Sequence, residues 1–270
     1  MSYLDIENSI EKEFYNTLYI PFCDAINRYE LIKDGDHICV CISGGKDSFI
    51  MAKLFEKHQK SSNINYKLTY LVMNPGYNEP NLELIKNNIK LLNIDAHIID
   101  TDIFKIANSQ VKNACYLCAK MRRGALYRIA KEFSCNKIAL GHHFDDVIVT
   151  TLMNMLNSGS FQTMIPKLHS KNFEGMELIR PMYLIKEDEI IRFKEYNNLN
   201  FLACACKFTE SLLKEDNDKE KSQRLFIKLL IKKLKNEIPN IEENLFKAVE
   251  NVDLDAVVRY FKDGKTIENY

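Results

Sequence analysis

The stretch that most constrains this chain is the apolar run Ile38-Cys-Val-Cys-Ile42, which empties directly into Ser43-Gly44-Gly45-Lys46-Asp47-Ser48. An apolar run, a Gly-Gly turn and then an amphipathic segment over residues 49–58 predict a buried strand, a tight turn and the start of a helix. Glycines let the backbone approach an anion closely, because no Cβ holds it off. The helix N-terminus adds unpaired N–H groups and the positive end of its dipole. Two serine hydroxyls can donate to phosphate oxygens, Lys46 brings a cation, and Asp47 can hold a magnesium ion. Together these parts make a pyrophosphate cradle. The spacing differs from G-x-x-x-x-G-K-[ST], so it is not a Walker A loop.

The surrounding rhythm supports a parallel sheet. Strands are expected at residues 37–42, 67–73, 96–99, 137–140 and 178–182, with helices at 48–59, 82–92, 117–133 and 144–156 between them. The strand at 67–73 is near-continuously apolar, as a strand covered on both faces is. Alternation of this kind predicts an α/β fold with a doubly wound parallel sheet and right-handed crossovers. In such sheets a ligand lies beyond the carboxyl ends of the strands, at a switch point. Residues 1–34 read as an N-terminal helical extension, 35–183 as the nucleotide-binding α/β domain and 184–270 as a C-terminal helical region. Within the last, helices are expected at 187–196, 219–235, 241–249 and 254–261, and residues 158–176 read as a long loop. Phe226, Leu230 and Leu234 recur at i, i+4 and i+8, an apolar stripe with lysines opposite.

Composition narrows the class. The 270 residues are 46% hydrophobic and 27% charged, ordinary for a globular protein. No apolar run approaches the ~18 residues of a membrane span, and the acidic, amphipathic start Met-Ser-Tyr-Leu-Asp-Ile-Glu is no secretory signal, so a cytoplasmic protein without membrane partners is expected. Net charge is zero, 37 basic against 37 acidic side chains, which argues against a dedicated nucleic-acid binder. The local distribution is uneven, however. Lys112, Lys120, Arg122, Arg123, Arg128 and Lys131 form one basic cluster, and Lys219, Lys221, Arg224, Lys228, Lys232, Lys233 and Lys235 form another.

Eight cysteines in a reducing compartment are not expected to form disulfides. Cys23, Cys39, Cys41 and Cys135 read as small buried hydrophobes. Cys115-Tyr-Leu-Cys118 and Cys204-Ala-Cys206 need a chemical explanation. A C-x-x-C pair can be half of a metal site or a redox dithiol. Four thiolates suit structural zinc, whereas three can hold an iron–sulfur cluster with one iron open. Gly141-His142-His143-Phe144-Asp145-Asp146 ends a strand and opens a helix. The aspartates suit the helix N-terminus, and two His with two Asp facing a nucleotide cradle suit magnesium and phosphate.

Ser43 to Ser48 after a strand resembles the signature of the PP-loop ATP pyrophosphatases, which split ATP between its α and β phosphates. With Cys115-Tyr-Leu-Cys118, Arg122-Arg123-Gly124, Gly141 to Asp146 and a later cysteine pair, the chain is similar to the tRNA 2-thiocytidine synthetases of that superfamily, over roughly residues 35–250. Met164 to Lys167 and Ile179-Arg180-Pro181 also resemble that family. The resemblance implies a PP-loop/HUP-type fold and ATP-dependent transfer of sulfur to a cytidine of tRNA. Ser43, Gly44, Gly45, Lys46, Asp47, Ser48, Gly141 and His142 would bind ATP with Mg2+. Asp47, Arg122, Asp145 and Asp146 would be catalytic. Cys115, Cys118 and Cys204 would hold a [4Fe–4S] cluster, with Cys206 the alternative third ligand. A sulfur donor (a persulfide carrier or sulfide) and a homodimer are implied as well. The family's second pair is C-x-x-C before Gly-Ser-Gln, whereas this chain has Cys204-Ala-Cys206-Lys-Phe-Thr, and alignment on Phe201-Leu202 favours Cys204. Two other functions fit parts of the pattern. A ligase of lysidine-synthetase type would need no cysteine, and a zinc-stabilised nucleotide-binding module would sense ATP without turnover.

Overall fold

The computed structural model describes residues 2–108, 114–202 and 219–270, with side chains over 2–106, 117–202 and 223–270. Two compact units are present, Met1–Phe144 with Ile165–Asp218, and Asp145–Met164 with Lys219–Tyr270.

In chain order the elements are α1 (Tyr3–Glu11), a π-helical turn (Tyr15–Tyr19), α2 (Ile20–Arg28), β1 (His37–Ile42), α3 (Lys46–Ser61), β2 (Lys67–Asn74), α4 (Glu79–Leu91), β3 (Ala96–Asp100), α5 (Ile103–Asn108), α6 (Ala114–Glu132), β4 (Lys137–Ala139), α7 (Phe144–Ser158), β5 (Lys167–His169), β6 (Glu177–Ile179), α8 (Glu187–Tyr196), α9 (Lys219–Glu237), α10 (Ile241–Ala248), β7 (Arg259–Lys262) and β8 (Lys265–Glu268). The first unit holds a six-stranded sheet of order β3-β2-β1-β4-β6-β5. Its first five strands are parallel, and β5 runs antiparallel to β6. Val40 lies between Tyr70 and Ala139 in register. The chain winds outward from β1 to β3 and then crosses to β4, so the switch point lies between β1 and β4. The loops that leave those two strands are Ser43–Gly45 and Leu140–His143.

Burial explains the strands. Five of the six residues of β1 are buried, as the centre of a sheet covered on both faces requires. Alternate residues Cys39, Cys41, Leu71, Met73, Ile138 and Leu178 share a core with Tyr127, Ile129 and Ala130 of α6. At the amino edge, the buried Lys137 ammonium bridges Asp36 (2.8 Å) and Glu177 (2.9 Å) and donates to the Leu31 carbonyl (2.8 Å). The N-terminal extension is joined to this core. Ile6, Ile10, Phe14, Leu18 and Phe22, each no more than 1% exposed, recur every four residues. Phe14 meets Phe193 edge-on and Phe22 meets Phe55 likewise.

Several expectations need correction. The segment 158–176 is not all loop, because Lys167–His169 pairs with the edge of β6, and the fifth parallel strand is Glu177–Ile179 rather than 178–182. Residues 254–261 are not a helix. A 3-10 turn at Leu254–Ala256 gives way to a hairpin whose turn residues, Asp263 (φ 52°) and Gly264 (φ 74°), both lie in the left-handed region. That is the geometry of a two-residue I′ turn, which matches the twist of paired strands. The expected apolar stripe of α9 is also misplaced. Ile227 and Ile231 are its buried positions, and Phe226 is 61% exposed. Cys23 is only half-buried, and burial nonetheless pushes its thiol pKa up. No helix among the described residues is long and apolar enough to cross a membrane.

Candidate active site

The cradle forms where β1 ends. Gly44 has φ +91°, a conformation that favours glycine, and a Cβ there would also press on the side-chain tips of Leu202 (2.7 Å) and Ile85 (3.0 Å). Gly45 in extended conformation caps α3, whose first turn carries Lys46, Asp47 and Ser48. The Ser48 hydroxyl donates to the Gly45 carbonyl (2.9 Å) and accepts from the Ser43 amide (3.1 Å), with the Ser43 hydroxyl 3.2 Å away. Tyr77 OH donates to the Ser43 carbonyl at 3.2 Å, and its own loop is held by Asn74 Oδ1, which accepts from the Gly76 and Tyr77 amides. The loop is thus held by its own hydroxyls and by Tyr77 at the N-terminus of α3, where a helix offers amides to an anion.

The β4 loop closes against it. A Cβ on Gly141 would lie 3.1 Å from the Asp47 carbonyl carbon and 3.2 Å from Ser48 N, so any side chain there would push this loop or the first turn of α3 aside by a few tenths of an ångström. His142 and His143 follow, and His143 is 3% exposed, with Nε2 3.9 Å from Asp47 Oδ1 and 4.0 Å from Glu187 Oε1. Lys46 Nζ bridges Asp47 Oδ1 (2.9 Å) and Glu187 Oε1 (3.0 Å). Burial disfavours the Lys46 charge, but the Asp47 and Glu187 carboxylates outweigh it and raise the pKa.

The first unit brings Ser43, Gly44, Gly45, Lys46, Asp47, Ser48 and Gly141 to one place, with His142 next in the chain. It adds Tyr77, Glu187 and Leu202, whose amide donates to the Gly44 carbonyl at 3.1 Å. Sequence carried no sign of Tyr77, and Leu202 stood out there only as an alignment marker beside Cys204, not as a partner of the loop. An acidic residue in the first turn of a helix after Ile179-Arg180-Pro181 was the one available pointer to Glu187.

Helix α6 begins at the same edge of the sheet, since it must return from the carboxyl end of β3 to enter β4 in parallel. Cys115 lies in its first turn, and Cys118, half-buried, packs on the core one turn later beside Met121. On that helix Arg122 is half-buried and Arg123 exposed. Asp145 and Asp146 open α7 in the second unit, where Asp146 Oδ1 accepts from Arg224 at 3.2 Å. Arg224 also donates to Thr150. Cys204 and Cys206 fall outside the described residues. Among the described residues no three His, Cys, Asp or Glu side chains form a ready metal cage. Asp47, a half-buried carboxylate in the first turn of α3, fits a hard cation shared with phosphate oxygens. Positions 115 and 118, one helical turn apart, fit the spacing of a thiolate half-site.

A PP-loop domain model matches residues 13–207. The tRNA-cytidine(32) 2-sulfurtransferase of Geotalea uraniireducens (strain Rf4) is 34% identical over 244 residues, 87% of this chain and 93% of that protein. The protein of the same name from Marinomonas sp. (strain MWYL1) is 34% identical over 235 residues, 84% of this chain and 79% of its own. Among solved structures, the U34-tRNA thiolase NcsA from Methanococcus maripaludis with its [4Fe-4S] cluster superposes with a TM-score of 0.65 at 21% identity, covering 86% of this chain and 78% of that one.

Proposed function

The chain belongs to the PP-loop family, in the branch of the tRNA-cytidine(32) 2-sulfurtransferases, and we propose that it is an ATP-dependent enzyme that places sulfur at C2 of a cytidine in tRNA. The observation that supports this most is the seating of the Ser43–Ser48 loop and the Gly141 loop against each other at the switch point, within a chain that aligns with those relatives over most of its length. We assign ATP phosphates to the loop amides, the Ser43 and Ser48 hydroxyls and Lys46, with Gly141 and His142 lining the approach. Asp47 would hold magnesium, which when bound neutralises phosphate charge as pyrophosphate departs.

The chemistry follows from a poor leaving group. A base carbonyl oxygen does not leave as such, so it first attacks the α-phosphorus and becomes an AMP ester. A sulfur nucleophile then adds at carbon and AMP departs. Negative charge that grows on the phosphates is met by preorganised amides and the Lys46 ammonium, which need not reorganise. Arg122, Asp145 and Asp146 are assigned to the base and its adenylated oxygen. Cys115, Cys118 and Cys204, with Cys206 as the alternative, would hold a [4Fe–4S] cluster, whose open iron would supply a site for the sulfur being transferred. Leu202, two residues before Cys204 in sequence, is bonded to the phosphate loop, which supports a cluster segment starting close to ATP. Sulfide or a persulfide carrier would donate sulfur, and the enzyme would act in the cytoplasm, as a homodimer.

The test is tRNA-stimulated release of pyrophosphate. Asp47→Ala should fold and lose it; normal release in that variant would remove the ATP assignment.

A further inference from the structure

Beside the His143 ring, 3.9 Å from the Asp47 carboxylate, Lys46 pairs with that carboxylate and is shared. Its Nζ stands 2.9 Å from Asp47 Oδ1 and 3.0 Å from Glu187 Oε1. Glu187 comes from a different part of the chain, 141 residues on, and stands at the first position of α8, whose first turn also holds Asp188 and Glu189. Acidic residues in that turn are explained by the helix dipole. The dipole does not explain why this one reaches Lys46 across to α3. Both carboxylates are half-buried, 31% and 23% exposed, so water screens them incompletely. The three side chains together carry a net charge of minus one, at the place assigned to the ATP phosphates.

Resting on that ATP reading, we propose that Glu187 is a specificity-determining residue of the cradle, which makes the site take the triphosphate as its magnesium complex and reject the uncomplexed nucleotide. The reason is charge. An anion arriving alone must draw Lys46 away from two carboxylates and then face both. Complexation by a divalent cation removes two negative charges from the nucleotide and offers the carboxylates a cation in place of Lys46. Without Glu187, Lys46 has one fewer competitor and the free triphosphate meets one fewer negative charge. Asp47 remains in either case, so the magnesium complex loses less.

Calorimetric titration of the full chain with ATP, in magnesium and in EDTA, tests this without turnover. Wild type should bind ATP in magnesium more tightly than in EDTA, and Glu187→Gln should narrow that ratio by about tenfold or more, chiefly through tighter binding in EDTA. Glu187→Asp, which keeps the charge, should retain the wild-type ratio. Glu187→Ala serves as the second charge-removing variant should Glu187→Gln not fold. A Glu187→Gln protein whose two affinities move together, or whose EDTA affinity falls, would overturn the proposal. Wild type that binds ATP in neither condition would overturn the cradle assignment itself, a result distinct from the other two.

Discussion

The amide of Leu202 donates to the carbonyl of Gly44, 3.1 Å away, so the segment that leads toward Cys204 is fastened to the first glycine of the phosphate loop. The fastening is reinforced by the two residues before it. Asn88, 4% exposed, donates its Nδ2 to the Asn200 carbonyl at 2.9 Å, and Phe201 stacks on Phe49 with centroids 5.3 Å apart. Asn88→Ala should leave that carbonyl unpaired at a cost of about 1–3 kcal/mol, and it should weaken ATP binding because Gly44 loses its backing. Urea unfolding and an ATP titration read the two effects separately. Lower stability with unchanged affinity would reduce the strap to a structural role.

Gly141→Ala is expected to act on the cradle from the other side. Its Cβ would press on the backbone of Asp47 and Ser48, which cannot swing aside as a side chain would. The β4 loop or the first turn of α3 must shift, at about 1–3 kcal/mol. ATP affinity should fall while the far-ultraviolet circular dichroism spectrum is kept. Gly124→Ala, whose Cβ would meet nothing within 4 Å, is the control.

Acid should destabilise the protein through His58. Burial pulls its imidazole from 6.5 down to about 4, and Nδ1 lies 2.7 Å from Tyr66 OH. Above pH 6.5 the ring is neutral in both states. As pH falls below 6.5, the unfolded chain takes up a proton that the folded chain refuses until about pH 4. Stability should therefore fall across that window, by up to about 3 kcal/mol from this group. His58→Gln should flatten the slope of unfolding free energy between pH 7 and 5; an unchanged slope would count against the assignment.

The cysteines separate by chemistry. Cys118→Ala should lose iron and thiolation together while keeping ATP affinity, and Cys115→Ala should match it. Cys204→Ala should do the same and Cys206→Ala should not; the reverse pattern would move the third ligand to Cys206. Cys135→Ala should keep iron, because Cys135 is 4% exposed, sits in the core beside Cys39, and has its thiol pKa pushed up by the Cys39 contact and by burial. Full iron in a Cys204→Ala, Cys206→Ala double variant would overturn the three-cysteine site.

The readable parts of this fold were the locally determined ones. His37–Ile42 and Glu187–Tyr196 follow from an unbroken apolar run and from a 3.6-residue pattern, and both match their expected bounds. The phosphate loop was legible because its glycines and hydroxyls are consecutive. The bonds of Glu187 to Lys46 and of Leu202 to Gly44 were not, since their partners lie in distant segments and only the folded sheet brings them together. The C-terminal hairpin was a different kind of miss. Asp263-Gly264 between Arg259-Tyr-Phe-Lys262 and Lys265-Thr-Ile-Glu268 is a strong two-residue hairpin signal, and the helical character of the composition after Pro181 drew residues 254–261 into a helix instead. Phe226 shows the limit of period alone. Ile227 and Ile231 share its spacing one residue on, and tertiary packing chose them.

The central claim is sulfur transfer to a cytidine of tRNA, and nucleoside mass spectrometry of tRNA from cells with and without this protein tests it most directly. The account predicts 2-thiocytidine in the first sample, its disappearance from the second, and its return with the wild-type chain but not with Asp47→Ala. Unchanged 2-thiocytidine, or loss of a different nucleoside in its place, would contradict it.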